Sequence, residues 1–521
     1  MGTHLAALDA GNSLITALTV FSAYPHEVSA ISVIETHISW VLLTGKFAYK
    51  IKKPVDFGFL DFSTLEKRRF FCNEEIRLNQ RLAPDLYLEV VPITGNPVQP
   101  EIGGAGEVIE YAVKMLQFPG RKMLNEIAEN GQLAVDEIDQ ITEIIADFHN
   151  GIEKAEETSP YGHSEDIKHW FDENSVHISP LLFSEQQKQQ LKKLIAWGNN
   201  EWTNHVDLME YRRINGYVRE CHGDLHLSNM TLINGKVTLF DCIEFNPLLR
   251  WIDVISEIAF VFIDLLYFAY ERFAYRLLND YLKRSGDYQA VTLLRYYLVY
   301  RALVCAKIAL LREAQQRNDI NSSQRCPRYN QFAKLAERFT QISPITLIIT
   351  HGYSGSGKST YSAELAEILG ALKISSDVER KRLYGYASLA NTKSAIDSGL
   401  YTNEVSQQTY LHLAKCAKSI ILAGFSVIID ASFLKNEQRK LFQVLAVECG
   451  VSFVIIDFQA SYAELCRRIT ARKNDVSEAT ISVLNNQLKS EQALSAQEQA
   501  FVISIDTESD NILDKIIVAL N

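Results

Sequence analysis

The sequence lacks closely spaced cysteine pairs, although it contains eight cysteines among 521 residues. Scattered cysteines fit neither a zinc site nor a disulfide framework, and they favour a reducing compartment. Long uninterrupted apolar runs are also missing, since the most apolar stretch, residues 254–270, is broken by Glu257 and Asp264. We therefore expect a buried helix there rather than a membrane span, no membrane partner, and a cytoplasmic protein.

Basic residues are outnumbered by acidic ones, which gives a formal net charge of -11 and a pI of about 5.7. An acidic surface repels phosphate backbones at long range, so a dedicated nucleic-acid binder is disfavoured, while a local basic groove stays an alternative. Low-complexity segments and internal repeats are absent from the sequence. The length and a hydrophobic content of 47% suit two or more globular domains.

Residues 28–52 contain β-branched and aromatic runs separated by turn signals, which predicts about three antiparallel strands. Similar patterns predict a helix over 65–82, strands over 86–93 and 110–117, and an amphipathic helix over 134–150. From residue 180 the chain reads as mainly helical. Asn234-Gly235 interrupts it between two short apolar runs and predicts a β-hairpin.

A polar segment without periodicity, residues 315–327, precedes a short predicted helix over 329–339. We place a domain boundary near residue 341. The remainder alternates helical patterns with strand-like runs at 345–350, 426–429 and 452–458. Such alternation is typical of a parallel sheet wrapped by helices, so we predict an N-terminal domain over 1–341 and a C-terminal α/β domain over 342–521.

The strongest motif is GYSGSGKS at residues 352–359, which matches GxxxxGK[ST] at every fixed position and lies between a predicted strand and a predicted helix. Its glycines let backbone N–H groups turn toward phosphates, and the helix N-terminus adds positive potential. Lys358 is expected to reach the β- and γ-phosphates of ATP, and the Ser359 hydroxyl is expected to hold Mg²⁺. The predicted ATP-binding residues are Gly352, Gly355, Gly357, Lys358, Ser359 and Thr360.

Asp430 ends a predicted strand downstream of this motif. An aspartate at that place is a candidate ligand of the metal, with a simple strand-end turn residue as the alternative.

The SSDVER segment at residues 375–380 resembles P-loop kinases that phosphorylate a hydroxyl group of a small molecule or of a nucleic-acid 5′ end. Polynucleotide 5′-kinase domains are the best-known relatives, and zeta toxins and gluconate-type kinases are looser ones. In that pattern an aspartate, followed three residues later by an arginine, orients and deprotonates the acceptor, and Asp377 and Arg380 match it. The resemblance also implies that Arg468 and Arg472 belong to a lid over ATP; an exposed basic helix face is the alternative.

The string HGDLHLSN at residues 222–229 is the most informative one in the N-terminal half. An aspartate with an asparagine five residues later is the kinase arrangement of catalytic base and metal ligand, which assigns these roles to Asp224 and Asn229. Asp241 follows a predicted hairpin strand and stands where a second metal-binding aspartate belongs. The string resembles aminoglycoside and choline-type phosphotransferases, which implies a bilobal α+β protein-kinase-like fold.

The FAYKIK strand at residues 47–52 places Lys50 and Lys52 on one face, because side chains alternate along a strand. FAYK mirrors the VAIK pattern of kinases, so Lys50 is the expected phosphate-binding lysine and Lys52 is a competitor. On the following helix Glu75 falls within an apolar stripe. A buried carboxylate requires a cation, and we therefore predict a Lys50–Glu75 pair, with an exposed Glu75 as the alternative.

Two protein-kinase features are missing from the N-terminal half. We find no GxGxxG loop between its first strands, and Asp241 and Asp253 are only twelve positions apart, too close for a long activation segment. A small-molecule acceptor is therefore favoured over a protein. Asp253 is interpreted as a structural charge near a helix start.

As a whole, the chain resembles a bacterial fusion of an aminoglycoside-phosphotransferase-like domain with a P-loop kinase domain. The resemblance implies a bifunctional kinase that uses ATP and Mg²⁺ and acts on hydroxyl groups of small molecules. Two alternatives stay open. One domain is catalytic and the other is an ATP-binding regulator, or the C-terminal domain phosphorylates nucleic-acid 5′-hydroxyl groups.

Overall fold

The computed structural model describes residues 11–58, 60–118, 122–316, 326–386, 402–471 and 480–520. The chain divides into two compact units. The first unit comprises residues 1–140, 151–169 and 206–261, and the second comprises residues 141–150, 170–205 and 262–521. Residues 262–341 thus share a compact unit with the C-terminal segment, and the domain boundary near residue 341 stays a prediction.

The first unit contains a six-stranded antiparallel sheet. Its strands are β1 (Ser32–Glu35), β2 (Ser39–Leu43), β3 (Phe47–Lys52), β4 (Tyr87–Asn96), β5 (Gln99–Ile102) and β6 (Val108–Leu116). They lie in the order β1-β2-β3-β6-β4-β5. Trp40, Leu42, Tyr49 and Ile93 belong to the buried core of this sheet. The strands expected within residues 28–52 and near 86–93 and 110–117 are confirmed.

Helix α1 (Leu65–Asn79) follows β3 in the sequence. The hydroxyl group of Thr64 caps its first turn by accepting a hydrogen bond from the Lys67 N–H at 3.3 Å. The helix was expected to reach residue 82, but it ends at Asn79. Residues 80–82 form turns, and Pro84 disfavours helical backbone only at residue 83, so the proline alone does not end the helix at Asn79.

The segment from residue 124 to 267 begins with four helices and continues with short strands and two further helices. Its elements are α2 (Leu124–Glu129), α3 (Val135–Gly151), α4 (Ser164–Ile178), α5 (Glu185–Ile214), β7 (Val218–Glu220), β8 (Met230–Ile233), β9 (Lys236–Leu239), α6 (Pro247–Arg250), β10 (Trp251–Asp253) and α7 (Val254–Tyr267). Strands β8 and β9 form the predicted hairpin, and Asn234 and Gly235 have φ values of 52° and 78°, as its two-residue turn requires. Strand β7 pairs with β10.

Helix α7 coincides with the most apolar stretch of the sequence, and nearly all of its residues are buried. The predicted buried helix is therefore confirmed, although it ends at Tyr267 instead of residue 270. Among the helices that the structure describes, none is both long and apolar enough to cross a bilayer.

The second unit contains the helices α8 (Glu271–Ser285), α9 (Val291–Gln316) and α10 (Pro327–Thr340). Helix α8 buries Ala274, Leu277, Leu278 and Tyr281, whose spacing places them on one face. The helix predicted over 329–339 is α10, and it begins two residues earlier because proline is well tolerated in a first helical turn.

The second unit also contains a parallel five-stranded sheet with the order β12-β13-β11-β14-β15. Its strands are β11 (Thr346–His351), β12 (Leu372–Ser375), β13 (Val427–Asp430), β14 (Ser452–Gln459) and β15 (Val502–Asp506). The helices of this segment are α11 (Lys358–Leu369), α12 (Ser376–Leu383), α13 (Asn403–Leu422), α14 (Asn436–Cys449), α15 (Tyr462–Ala471), α16 (Ile481–Ser490) and α17 (Ile512–Leu520). The predicted helix-wrapped parallel sheet is confirmed. The motifs at residues 352–359, 375–380 and 430 follow the carboxyl ends of its three adjacent strands, the edge at which α/β proteins bind ligands.

Candidate functional site

The GxxxxGK[ST] motif at residues 352–359, here called the P-loop, connects β11 to α11 and lies close to neighbouring backbone. A side-chain carbon on Gly352, which has a φ of 133°, would lie 2.5 Å from the Phe458 carbonyl oxygen. A side-chain carbon on Gly355, which has a φ of 90°, would lie 2.9 Å from the Leu465 carbonyl oxygen. Both positions therefore require glycine, for the conformation and for the space.

Helix α11 begins at Lys358, directly after Gly357. The backbone N–H groups of its first turn, which includes Ser359 and Thr360, lie at a helix N-terminus, where an anion is stabilised. The Lys358 ammonium group is mostly buried and donates a hydrogen bond to the Tyr353 carbonyl oxygen at 2.7 Å. Lys358, Ser359 and Thr360 thus lie together in the first turn of α11, directly after the predicted phosphate-binding glycines.

The two predicted metal ligands of the C-terminal segment lie together. The Ser359 hydroxyl donates to Asp430 Oδ1 at 3.2 Å. Lys373 on β12 forms an ion pair with Asp430 Oδ2 at 3.0 Å and donates to the Ser359 carbonyl oxygen at 2.9 Å. Sequence reasoning missed Lys373, because its partners lie 14 and 57 positions away in the chain.

The environment keeps Asp430 ionised. Burial alone would raise the pKa of its carboxyl group, but the nearby Lys373, Lys358 and Ser359 lower the pKa overall. A hydroxyl and an ionised carboxylate within hydrogen-bonding distance are hard oxygen donors of the kind that Mg²⁺ prefers. The residues present therefore fit the predicted magnesium site.

The predicted acceptor residues lie on helix α12. Arg380 Nη1 contacts Asp377 Oδ1 at 3.1 Å, and Arg380 is buried while Asp377 is partly exposed. The helix is fixed by Glu379, a fully buried carboxylate that pairs with Arg382 and with His412 Nε2, the latter at 3.1 Å. The pair predicted from the sequence is thus formed, with a partly exposed carboxylate and a buried cation.

Arg468 lies beside the P-loop. Its guanidinium group pairs with Glu464 at 2.6 Å, donates to Thr507 Oγ1 and to the Thr507 carbonyl oxygen at 2.9 Å each, and approaches the Gly355 carbonyl oxygen at 3.4 Å. Arg472, the other predicted lid residue, lies outside the described residues. The assignment of both arginines to a lid stays a prediction.

The HGD segment of the first unit holds its predicted base and metal ligand in contact. Asn229 Nδ2 donates to Asp224 Oδ2 at 3.1 Å and to the Asp224 carbonyl oxygen at 2.8 Å. Glu257 of α7, which is buried, accepts hydrogen bonds from the His222 N–H at 3.2 Å and the Gly223 N–H at 2.7 Å. Glu257 therefore holds the backbone of this loop. Its position as one of two carboxylates in an otherwise apolar helix was the signal for such a role.

Asp241 follows β9 with a φ of 67°, a left-handed conformation that is uncommon for a residue other than glycine. Its backbone N–H donates to the Tyr87 hydroxyl at 3.2 Å, and its carboxylate pairs with Lys50 at 2.5 Å. The preceding residue, Phe240, donates its N–H to the Asn229 carbonyl oxygen at 3.0 Å. Lys50 thus contacts Asp241, and the residue before Asp241 is hydrogen-bonded to Asn229.

Glu75 points inward from α1, as its place in the apolar stripe predicted. Its carboxylate is completely buried and lies between two lysines, with Lys50 Nζ and Lys52 Nζ each at 2.7 Å. Burial alone would raise the pKa of Glu75, but the two ammonium groups lower it to about 2. The predicted Lys50–Glu75 pair is present, and Lys52 shares it.

Residues 347–494 match the model of the AAA domain family. Among the curated relatives is an uncharacterized protein of Mycobacterium tuberculosis (strain ATCC 25618 / H37Rv), 28% identical over 457 residues, which covers 87% of this chain and 88% of the relative. An uncharacterized protein of Mycobacterium bovis (strain ATCC BAA-935 / AF2122/97) matches with the same identity and coverage.

Similar solved structures include a gluconokinase from Sinorhizobium meliloti 1021, with 19% identity and a TM-score of 0.26, covering 34% of this chain and 93% of that chain. A putative kinase from Chloroflexus aurantiacus has 18% identity and a TM-score of 0.27, covering 34% of this chain and 96% of that chain. The family match, the parallel sheet and the GxxxxGK[ST] motif together identify a P-loop domain with an α/β fold in the C-terminal part of the chain.

Proposed function

We propose that this chain is a bifunctional ATP-dependent phosphotransferase, in which each half transfers the γ-phosphate of ATP to a hydroxyl acceptor of a small molecule. The observation that carries the proposal is that each unit contains a partly exposed carboxylate that is held by a polar side chain. Asn229 contacts Asp224 in the first unit, and Arg380 contacts Asp377 in the second.

In the C-terminal site, Lys358 and the backbone N–H groups at the start of α11 bind the phosphates of ATP. Mg²⁺, when bound, shields the charge of these phosphates and aligns them for transfer. Ser359 and Asp430 hold the metal. Asp377 accepts the proton of the acceptor hydroxyl, and Arg380 orients this carboxylate. Loss of such a base costs about 10²–10⁴-fold in rate.

In the N-terminal site, Lys50 binds the phosphates and is oriented by Glu75, while Asn229 and Asp241 hold the metal. Asp224 accepts the proton of the acceptor hydroxyl. The contact between Asn229 and Asp224 supports this assignment, because it fixes the carboxylate beside the metal ligand. The short interval between Asp241 and β10 favours a small acceptor over a protein.

A regulatory role for one of the two halves is the main alternative. The complete set of charged groups in each half favours two catalytic sites, since a regulator that binds ATP does not need a base for the acceptor. For the C-terminal site, the Asp377–Arg380 pair also suits a nucleic-acid 5′-hydroxyl group. A steep loss of acceptor binding with rising salt would favour the nucleic acid.

Phosphate transfer from γ-labelled ATP into a size-fractionated cell extract tests the proposal. The test compares the wild type with Asp224→Ala and Lys358→Ala, and with the exposed-site controls Asp85→Ala and Lys192→Ala. We expect each active-site variant to lose a different labelled product, whereas both controls keep all products. If one active-site variant keeps every product, its half of the chain is not a kinase of these acceptors.

A further inference from the structure

Two lysines of strand β3 contact the same carboxylate, yet their surroundings differ. Lys50 and Lys52 both lie 2.7 Å from Glu75, one at each carboxylate oxygen. The Lys50 side chain is 12% exposed and also reaches Asp241, whose side chain is 40% exposed. The Lys52 side chain is 0% exposed. The two residues therefore cannot have the same role toward a ligand that arrives from solvent.

Each N–H group of the Lys52 ammonium faces another protein group. It pairs with Glu75 Oε2 at 2.7 Å and with Glu244, and it lies 4.8 Å from the centre of the Phe62 ring. An ammonium group has three N–H donors. Two of them are taken by carboxylates and the remaining side faces an aromatic ring, a favourable cation–π contact. Lys52 has no donor left for a phosphate.

Glu244 stands three residues after Asp241 and is itself buried. Its backbone is held by Arg250, whose Nη1 donates to the carbonyl oxygen of Glu244 at 3.2 Å. Lys52 thereby connects helix α1, through Glu75, to the segment that follows Asp241. Buried charges make the contact between helix α1 and the segment after Asp241. The positions of these charged side chains are therefore strongly restricted.

We infer that Lys52 is a positioning residue: it neutralises Glu244 and shares Glu75, so that Lys50 stays facing the phosphates of ATP. The inference rests on the proposed ATP site of the first unit. Without Lys52, Lys50 is the one ammonium group that remains for the two buried carboxylates, Glu75 and Glu244. Lys50 then moves toward these carboxylates and away from the phosphates of ATP. Without both Lys52 and Glu244, Glu75 keeps Lys50 and no buried charge is left unpaired.

The test measures nucleotide affinity in a Lys358→Ala background, which weakens the C-terminal site. A fluorescent ATP analogue reports ATP affinity, and competition by adenosine reports binding of the base and sugar alone. The variants are Lys50→Met, Lys52→Met, Glu244→Gln and the Lys52→Met/Glu244→Gln double variant, with Lys52→Arg in case Lys52→Met does not fold. Thermal unfolding midpoints report folding.

We expect Lys50→Met and Lys52→Met each to weaken ATP binding by about tenfold or more, and the double variant to return within about threefold of the background. Adenosine binding should stay unchanged in all of them, whereas general unfolding would weaken both ligands. Lys52→Arg, which keeps the charge, should stay near the background.

The inference is wrong if the double variant binds ATP no better than Lys52→Met, or if Lys52→Met abolishes ATP binding while Lys50→Met does not. If the Lys358→Ala background binds no nucleotide, the proposed N-terminal ATP site is wrong and the inference falls with it. The outcomes therefore separate failure of the inference from failure of the proposed function.

Discussion

Replacement of Lys373 by methionine tests the electrostatic account of the C-terminal site. Lys373 pairs with Asp430 at 3.0 Å, and the side chains are 16% and 5% exposed. Methionine retains most of the length and the apolar stem of lysine but removes the charge. Asp430 would then keep the Ser359 hydroxyl at 3.2 Å as its nearest hydrogen-bond donor. A buried carboxylate would be left without its closest cation.

The magnitude follows from the burial of this pair. Removal of one partner of a buried ion pair costs about 3–5 kcal/mol, and the partial exposure of Lys373 favours the lower end, about 3 kcal/mol. For a unit of about 300 residues, with an unfolding entropy of about 2.1 cal/mol/K per residue, this corresponds to a fall of roughly 5 °C in the midpoint of thermal unfolding. The double variant Lys373→Met/Asp430→Asn leaves no unpaired charge and should lose less than the single variant.

The assay is thermal unfolding of the full chain with and without Mg²⁺. Because Asp430 is a predicted magnesium ligand, added Mg²⁺ should raise the midpoint of Lys373→Met by more than that of the wild type. The exposed-site variant Lys440→Met is the control and should unfold like the wild type. A fall of less than about 2 °C in Lys373→Met would refute the reasoning that Lys373 compensates a buried charge.

Two further substitutions test contacts of the second unit. Glu498 pairs with the buried Arg439 at 2.6 Å, and the pKa of Glu498 is lowered to about 2. The contribution of this pair to stability is therefore complete above the unfolded pKa of 4.5 and is lost as the pH falls toward 2. Glu498→Gln should therefore unfold more easily than the wild type at pH 7, by about 3 kcal/mol, and this difference should shrink toward pH 2 in denaturant titrations; a difference independent of pH would contradict this. Asn279 of α8 accepts a hydrogen bond from the Lys373 N–H at 2.7 Å and donates one to the Ala371 carbonyl oxygen at 3.0 Å. Asn279→Ala should therefore lower the free energy of unfolding by about 1–3 kcal/mol and speed hydrogen exchange of the β12 amides. Unchanged exchange would contradict this prediction.

Local patterns predicted most of the fold of the C-terminal segment. The apolar run before Gly352 and the helical pattern after Lys358 fix a strand and a helix by short-range spacing alone. The same holds for the hairpin at Asn234-Gly235, where the turn residues are selected by backbone conformation. Helix ends were less well predicted, because the end of α1 at Asn79 depends on the turn that follows.

Charged partners that are distant in the sequence could not be predicted. Lys373 and Glu244 carry no motif of their own, and their roles come from contacts with Asp430 and Lys52 that the folded chain creates. The pairing of Lys50 with Glu75 was predictable, because a carboxylate in an apolar stripe must find a cation. Strand alternation places both lysines on one face, but it does not determine whether Glu75 pairs with one of them or with both.

The central claim is that the chain contains two ATP sites. Equilibrium dialysis with a non-hydrolysable ATP analogue and Mg²⁺ measures the number of nucleotides bound per chain. The account predicts two for the wild type, one each for Lys50→Met and Lys358→Ala, and none at the same analogue concentration for the double variant. A wild type that binds one nucleotide, or a Lys50→Met variant that still binds two, would contradict it.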